Sequence, residues 1–282
     1  MATTIDEGFE QFLRKLTPTE AEQAAAARHS AELQRELSAR FPVERFWQTG
    51  SFDNGTAVHR YSAVDYFALI SWQRPGDSTL ALTAIRDALK ERFPSARIRA
   101  DRPAVVVEFS DLNYDIIPAF QAGAEFVCYI PGPFSGWITA SPDAHQAYVN
   151  DCDYRSQGIA KNMARLLKAW KYANDVPVSS FYLEMYAATY MARNPFRSWL
   201  PTLNNLFTEL LYGKLAEVHD PTGAGARITA CETETQREET LSKLRTAYTR
   251  SSQAVWLDSN GMTPHAFLYI DEVFNGIFPA HG

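Results

Sequence analysis

Apolar positions follow short strand-like patterns in the first half of the chain and helical spacing in the second. Thr17-Pro18-Thr19-Glu20 followed by an alanine-rich run predicts a long helix that continues to about Arg40 and stops before Pro42. Thr17 or Thr19 caps it, Pro18 or Glu20 lies in its first turn, and alanine carries the strongest helix propensity. Val43–Gln48 and Val64–Ile70 read as strands, with turn signals at Gly50-Ser51 and Asn54-Gly55 between them. Leu80–Phe93 reads as an amphipathic helix; Ile98, Val105–Val107 with Phe109, and Tyr114–Ile117 read as strands, the last ended by Pro118. Beyond Trp137 the pattern turns helical, with a helix starting at Pro142 and others over Gly158–Ala173, Ser179–Tyr190, Asn204–Leu215, Thr235–Trp256 and Ala266–Asn275. There is no internal repeat and no low-complexity linker. The expected fold class is α+β (mixed α/β): a mixed-sheet first part, residues 1–136, and a helical second part, residues 137–282, with the first long helix as a spine.

Composition narrows the chemistry. With 282 residues, 46% hydrophobic and 21% charged, the chain can fill a large core, as one big domain or two packed lobes. A net charge of −6 argues against long DNA or RNA as a partner, because such surfaces carry a basic excess. Small anionic ligands need only a few local cations and stay open. Cys128, Cys152 and Cys231 are far apart and form no CxxC pair, so neither a disulfide framework nor a zinc cluster is expected. The six histidines show no HxxxH or HExxH spacing, and no GxSxG elbow occurs. Met1–Glu10 lacks the apolar core of a signal peptide, and no apolar run is long enough to cross a bilayer, so a soluble, cytoplasmic protein without a membrane partner is expected.

Three features of the first half belong together: Gly50-Ser51, Asp65 and Asp115. A Gly-Ser turn offers backbone N–H groups and a hydroxyl to phosphate oxygens. Carboxylates on two strands can lie side by side across a sheet and hold Mg²⁺ through oxygen. Taken singly, each is ordinary: a Gly-Ser pair is usually a turn, and a strand-end Asp is usually solvated. Order and spacing are more specific. Gly50-Ser51, eleven intervening residues and then Ala63-Val64-Asp65 resembles the nucleotidyltransferase pattern of Gly-Ser followed by acid–hydrophobic–acid. Tyr114-Asp115-Ile116-Ile117-Pro118-Ala119-Phe120 resembles the strand of the third acid in the cGAS/DncV-like nucleotidyltransferases, or CD-NTases. The likeness continues through Trp137-Ile138-Thr139 with Ser141-Pro142, Arg165–Lys171, Ser179–Glu184 and Asp220-Pro221.

This resemblance covers nearly the whole chain, and the compact length looks most like clade E. It implies a polymerase-beta-type nucleotidyltransferase fold, with a catalytic lobe and a helical nucleotide-binding lobe. It also implies an antiphage second-messenger synthase that makes a cyclic di- or trinucleotide from NTPs, with a downstream effector reading the product. Two Mg²⁺ ions, or Mn²⁺, would be held by Asp65, Asp115 and a third acid. Gly50 and Ser51 would meet phosphate. Carried over by motif, Arg165 and Lys168, three apart on one helix face, would meet the triphosphate. Ser180 would contact the donor, Phe181 would stack on its base, and Asn162 would read a base edge. Without the motif, Arg165, Lys168 and Asn162 read as a helix surface and Phe181 as core.

The departure is Ala63. It stands where the first acid belongs, unless Asp65 is itself the first acid and Phe67 replaces the second. Either register leaves two of three ligands, and alanine cannot bind Mg²⁺. A deliberate Asp→Ala variant and a natural pseudoenzyme both remain open, and a lone alanine in an otherwise intact site favours the variant. A single-transfer nucleotidyltransferase and a catalytically dead nucleotide-binding partner are the competing functions. The terminal Pro279-Ala280-His281-Gly282 reads as a frayed tail after a helix. If mobile, Gly282 would offer an unhindered carboxylate for joining to a partner lysine or cysteine.

Overall fold

The computed structural model describes residues 2–123, 127–223 and 227–282, and the chain divides into two compact units. One comprises Pro18–Tyr148 and Asp220–Ala226; the other comprises Met1–Thr17, Val149–His219 and Arg227–Gly282. The first is built on a sheet and the second on helices. The chain crosses between them within helix α5 (Pro142–Arg155).

In the sheet unit, β1 (Val43–Thr49), β2 (Val64–Ile70), β5 (Asn113–Gln121), β4 (Ala104–Glu108) and β3 (Arg97–Asp101) lie side by side in that order. β6 (Cys128–Pro131) and β7 (Trp137–Ala140) continue from β5. The β2–β5 pair is parallel and the other pairs are antiparallel, so the sheet is mixed as expected. Strand β5 runs through Pro118 instead of ending there. Its pairing with β4 ends at Ile116 and its pairing with β6 starts at Phe120. Pro118 thus falls in a gap on that side of the strand, where a missing N–H is tolerated.

Strand alternation gives the sheet two different faces. Val64, Tyr66, Ala68 and Ile70 of β2 join Val105, Val107, Tyr114 and Ile116 in one core with two helices. These are α2 (Glu20–Arg40), through Leu33 and Leu37, and α4 (Ser78–Arg92), through Leu82, Ile85 and Leu89. Of the two caps the sequence offers, Thr19 is the one used: Thr19 and Glu22 form a reciprocal capping box. The buried Tyr114 hydroxyl donates to the Ala25 carbonyl at 3.0 Å and ties α2 to β5. The opposite face carries Asp65 and Asp115.

The helical unit contains α1 (Ile5–Leu16), α6 (Ile159–Ala173), α7 (Ser180–Met191), α8 (Trp199–Tyr212), α9 (Glu234–Ser259) and α10 (Thr263–Val273). Helix α1 is absent from the sequence reading, although Ile5, Phe9, Phe12, Leu13 and Leu16 form its buried stripe. Phe9 and Phe12 meet Phe274 and Phe278 edge to face, with centroids 4.7–6.5 Å apart. The last residues are held, not frayed. Phe278 is buried, His281 pairs with Ala2, and the Gly282 N–H donates to the Ala2 carbonyl at 3.1 Å. No helix among the described residues is long and apolar enough to cross a membrane.

Candidate functional site

The parallel register of β2 and β5 sets Asp65 directly opposite Asp115. Thr49 pairs with Asp65 on the other side, and Val106 followed by Arg99 continues the row beyond Asp115. Both carboxylates therefore point from one face, on neighbouring strands roughly 5 Å apart. They are half-buried. Among the described residues no hydrogen bond or ion pair engages the Asp115 carboxylate. Burial pushes Asp115 up to about 6, Asp101 adds to the rise, and Arg99 opposes it. A half-buried carboxylate held this way is costly to the fold and common where a protein binds a cation.

The turn entering this row is equally specific. Gly50 begins a one-turn helix, α3 (Gly50–Asp53), with a φ of +64° that favours glycine. A Cβ built on Gly50 would lie 2.0 Å from Asp65 Oδ2. The backbone thus runs against the carboxylate, and only glycine allows that approach. Among the described residues no hydrogen bond engages the Ser51 hydroxyl, while the Ser51 carbonyl accepts from the Thr56 N–H at 2.9 Å.

Ala63 lies just before β2, two residues from Asp65, so alternation directs it to the same side. Phe67, the other candidate for a replaced acid, is buried with Ala104, Ile117, Ala119, Cys128 and Ile130, and its ring is 5.5 Å from Trp47. A carboxylate at 67 would sit inside that apolar cluster; one at the half-buried position 63 would extend the acid row. The donors suit Mg²⁺ in kind, being hard carboxylate oxygens, but are one short. Among the described residues no group of three or more His, Cys, Asp or Glu is assembled to hold a metal.

In the helical unit the expected phosphate residues are placed differently from a solvated face. Arg165 and Lys168 are both buried on α6. The Lys168 ammonium donates to Glu184 of α7, and both side chains are nearly inaccessible. Arg165 donates to the Asn162 side-chain oxygen at 2.9 Å, and burial holds its guanidinium below the usual value, with Asp153 opposing. The Asn162 amide also donates to the Gly158 carbonyl at 3.1 Å, so one donor and its oxygen are already engaged within α6. Ser180 opens α7 just after the capping Ser179. Phe181 beside it is 41% exposed, so it is not a core residue.

One residue was not singled out from the sequence. Lys171 lies one further three-residue step along the Arg165–Lys168 face, and its Nζ donates to Ser180 Oγ at 2.6 Å. The Tyr172 hydroxyl lies 3.2 Å from the same oxygen. The repeated spacing Arg165, Lys168, Lys171 was the available signal.

Residues 3–153, more than half of the chain, match the family described as the Second Messenger Oligonucleotide or Dinucleotide Synthetase (SMODS) domain. A cyclic AMP-AMP-AMP synthase of Acinetobacter sp. is 23% identical over 154 residues, 51% of this chain and 45% of that protein. The match therefore spans less than half the length of that curated relative. Among solved structures, E. coli MS115-1 CdnC with ATP superposes with a TM-score of 0.78 at 18% identity, covering 98% of this chain and 99% of that one. The Bradyrhizobium diazoefficiens CD-NTase CdnG in complex with GTP gives 0.71 at 15% identity, covering 96% and 99%. At these identities the superpositions establish the fold.

Two predictions follow from the acid row. Gly50→Ala forces a Cβ into the Asp65 carboxylate at a left-handed φ, and is expected to cost about 1–3 kcal/mol, read as a lowered melting temperature. Ser51→Ala, which removes only a hydroxyl, should melt with the parent. Asp115→Asn should raise the melting temperature at pH 7.5 by a few degrees in the presence of a chelator. The folded-state value of about 6 lies above the ordinary 3.8, so the ionised carboxylate destabilises the fold increasingly from pH 4 to 6 and fully above that. The gain should vanish near pH 4, and melting curves across that range check the sign.

Proposed function

Because the chain belongs to the Second Messenger Oligonucleotide or Dinucleotide Synthetase family, that of the CD-NTases, we propose that it is a cyclic oligonucleotide synthase with an incomplete acid set. The observation that carries this reading is the Asp65–Asp115 pair, set in register on parallel strands with the Gly50 backbone against Asp65. The substrates are NTPs and the products cyclic di- or trinucleotides, read by a downstream effector in antiphage signalling. The named activity of the Acinetobacter relative supports the product class.

Asp65 and Asp115 would hold Mg²⁺, which when bound supplies Lewis-acid stabilisation to an α-phosphate under attack by a 3′-hydroxyl. The chain's own residues position the reactants. Gly50 and Ser51 present an open backbone and a hydroxyl to phosphate oxygens. In the helical unit Ser180 meets phosphate, and the exposed ring of Phe181 offers a stacking face to a base but no hydrogen bond. The rate such a site delivers comes mainly from positioning and preorganised charge.

Ala63 favours a second reading, a nucleotide-binding pseudoenzyme. Ala63→Asp separates the two. Offered each pair of NTPs with Mg²⁺, the Ala63→Asp protein is expected to form a phosphatase-resistant cyclic product at a rate at least about a hundredfold above the parent. Phe67→Asp should give none and should fold poorly. A labelled macromolecule instead of a cyclic product would point to single transfer. Background turnover from both variants would leave the pseudoenzyme.

A further inference from the structure

Strand pairing fixes the acids at 65 and 115, but not position 63. The β2–β5 ladder begins at Val64, so residue 63 lies before the first paired residue. Its place is set by the loop that joins α3 to β2. That loop closes on itself just ahead of Ala63. The Ser62 and Tyr61 N–H groups donate to the Val58 carbonyl at 3.0 and 3.1 Å, and the Val58 N–H donates to Ser62 Oγ at 2.9 Å. Within this turn Arg60 has a φ of +68°, a left-handed conformation that is strained for a residue with a side chain.

Glu22 of α2 reaches across to this turn. Its Oε2 accepts from the Thr19 N–H and hydroxyl at 2.7 and 3.0 Å and lies 2.7 Å from His59 Nδ1. Its other oxygen, Oε1, accepts from the Arg60 N–H at 3.0 Å. A capping box needs only one oxygen, as Gln236 demonstrates in the box that opens α9. The second oxygen of Glu22 is committed to the loop. Burial opposes the charge on Glu22, but the hydrogen bonds from Thr19, His59 and Arg60 outweigh it and hold the carboxyl below its usual range. We propose that Glu22 is a positioning residue for the acid row: by holding Arg60 in its left-handed conformation, it fixes the turn that delivers residue 63 to the mouth of the Asp65–Asp115 pair. The inference rests on the cation-site reading above and names what sets the geometry of its third position.

Two measurements test it: hydrogen exchange of the metal-free chain, and MnCl₂ titration of Ala63→Asp followed by the paramagnetic resonance of free Mn²⁺. Glu22→Gln keeps one acceptor oxygen for the helix cap and turns an NH₂ group onto the Arg60 N–H. It should leave exchange over residues 20–40 as in the parent and speed exchange over residues 58–62 about tenfold. In the Ala63→Asp background it should weaken Mn²⁺ binding about tenfold, the scale on which groups behind a metal ligand act. Adding Arg60→Gly, which adopts the left-handed conformation without a clamp, should restore most of that affinity. Unchanged exchange over 58–62, unchanged Mn²⁺ affinity, or no recovery with Arg60→Gly would each overturn the inference and leave the cation site standing. An Ala63→Asp protein that binds no Mn²⁺ would overturn the cation-site reading and this inference together.

Discussion

A carboxylate half-buried on the face of a sheet is costly, because it is taken out of water. Here the parallel pairing of β2 and β5 fixes Asp65 opposite Asp115 regardless of that cost, because the strands' other faces are committed to a core with α2 and α4. A shift of one residue would turn Tyr66 and Tyr114 out of that core. The apolar face therefore holds the acidic one in place. Burial at this position pushes Asp115 up to about 6, with Asp101 adding to the rise and Arg99 opposing it. The Gly50 turn, the gap that accommodates Pro118 and the apolar cluster around Phe67 all follow from where the two strands must lie.

Much of this was legible in the sequence because the relevant signals are local. The aromatic and aliphatic run Val64–Ile70 gives a strand with those bounds, and Thr19, one of two candidate caps, starts α2 at Glu20. The Gly-Ser turn and the acids at 65 and 115 could be picked out by spacing, and the sheet places both acids on one row. Less legible were features that depend on partners distant in sequence. Pro118 signals a strand end by itself, yet the unpaired gap between β4 and β6 lets β5 continue. Helix α1 carries an apolar stripe within an acidic, polar segment, and its partners Phe274 and Phe278 lie at the other end of the chain.

The helical unit illustrates the limit of reading charge from motif. A basic residue every third position along α6 looks like one phosphate-binding face. The structure differentiates it: Arg165 is turned to Asn162, Lys168 to Glu184 and Lys171 to Ser180. Which cation is already compensated depends on α7 packing against α6, and nothing in the spacing of either helix records it. The same packing explains why Phe181 stays at the surface while Tyr182 and Leu183, next to it, are fully buried.

The central claim is that Asp65 and Asp115 form a divalent-cation site from which one ligand, at position 63, is missing. Anomalous diffraction from crystals of the parent and of Ala63→Asp, soaked with MnCl₂ and a non-hydrolysable ATP analogue, tests it most directly. The account predicts strong manganese density between Asp65 and Asp115 in Ala63→Asp and weak or no density there in the parent. Manganese bound away from both carboxylates in Ala63→Asp, or equally strong density in the two proteins, would contradict it.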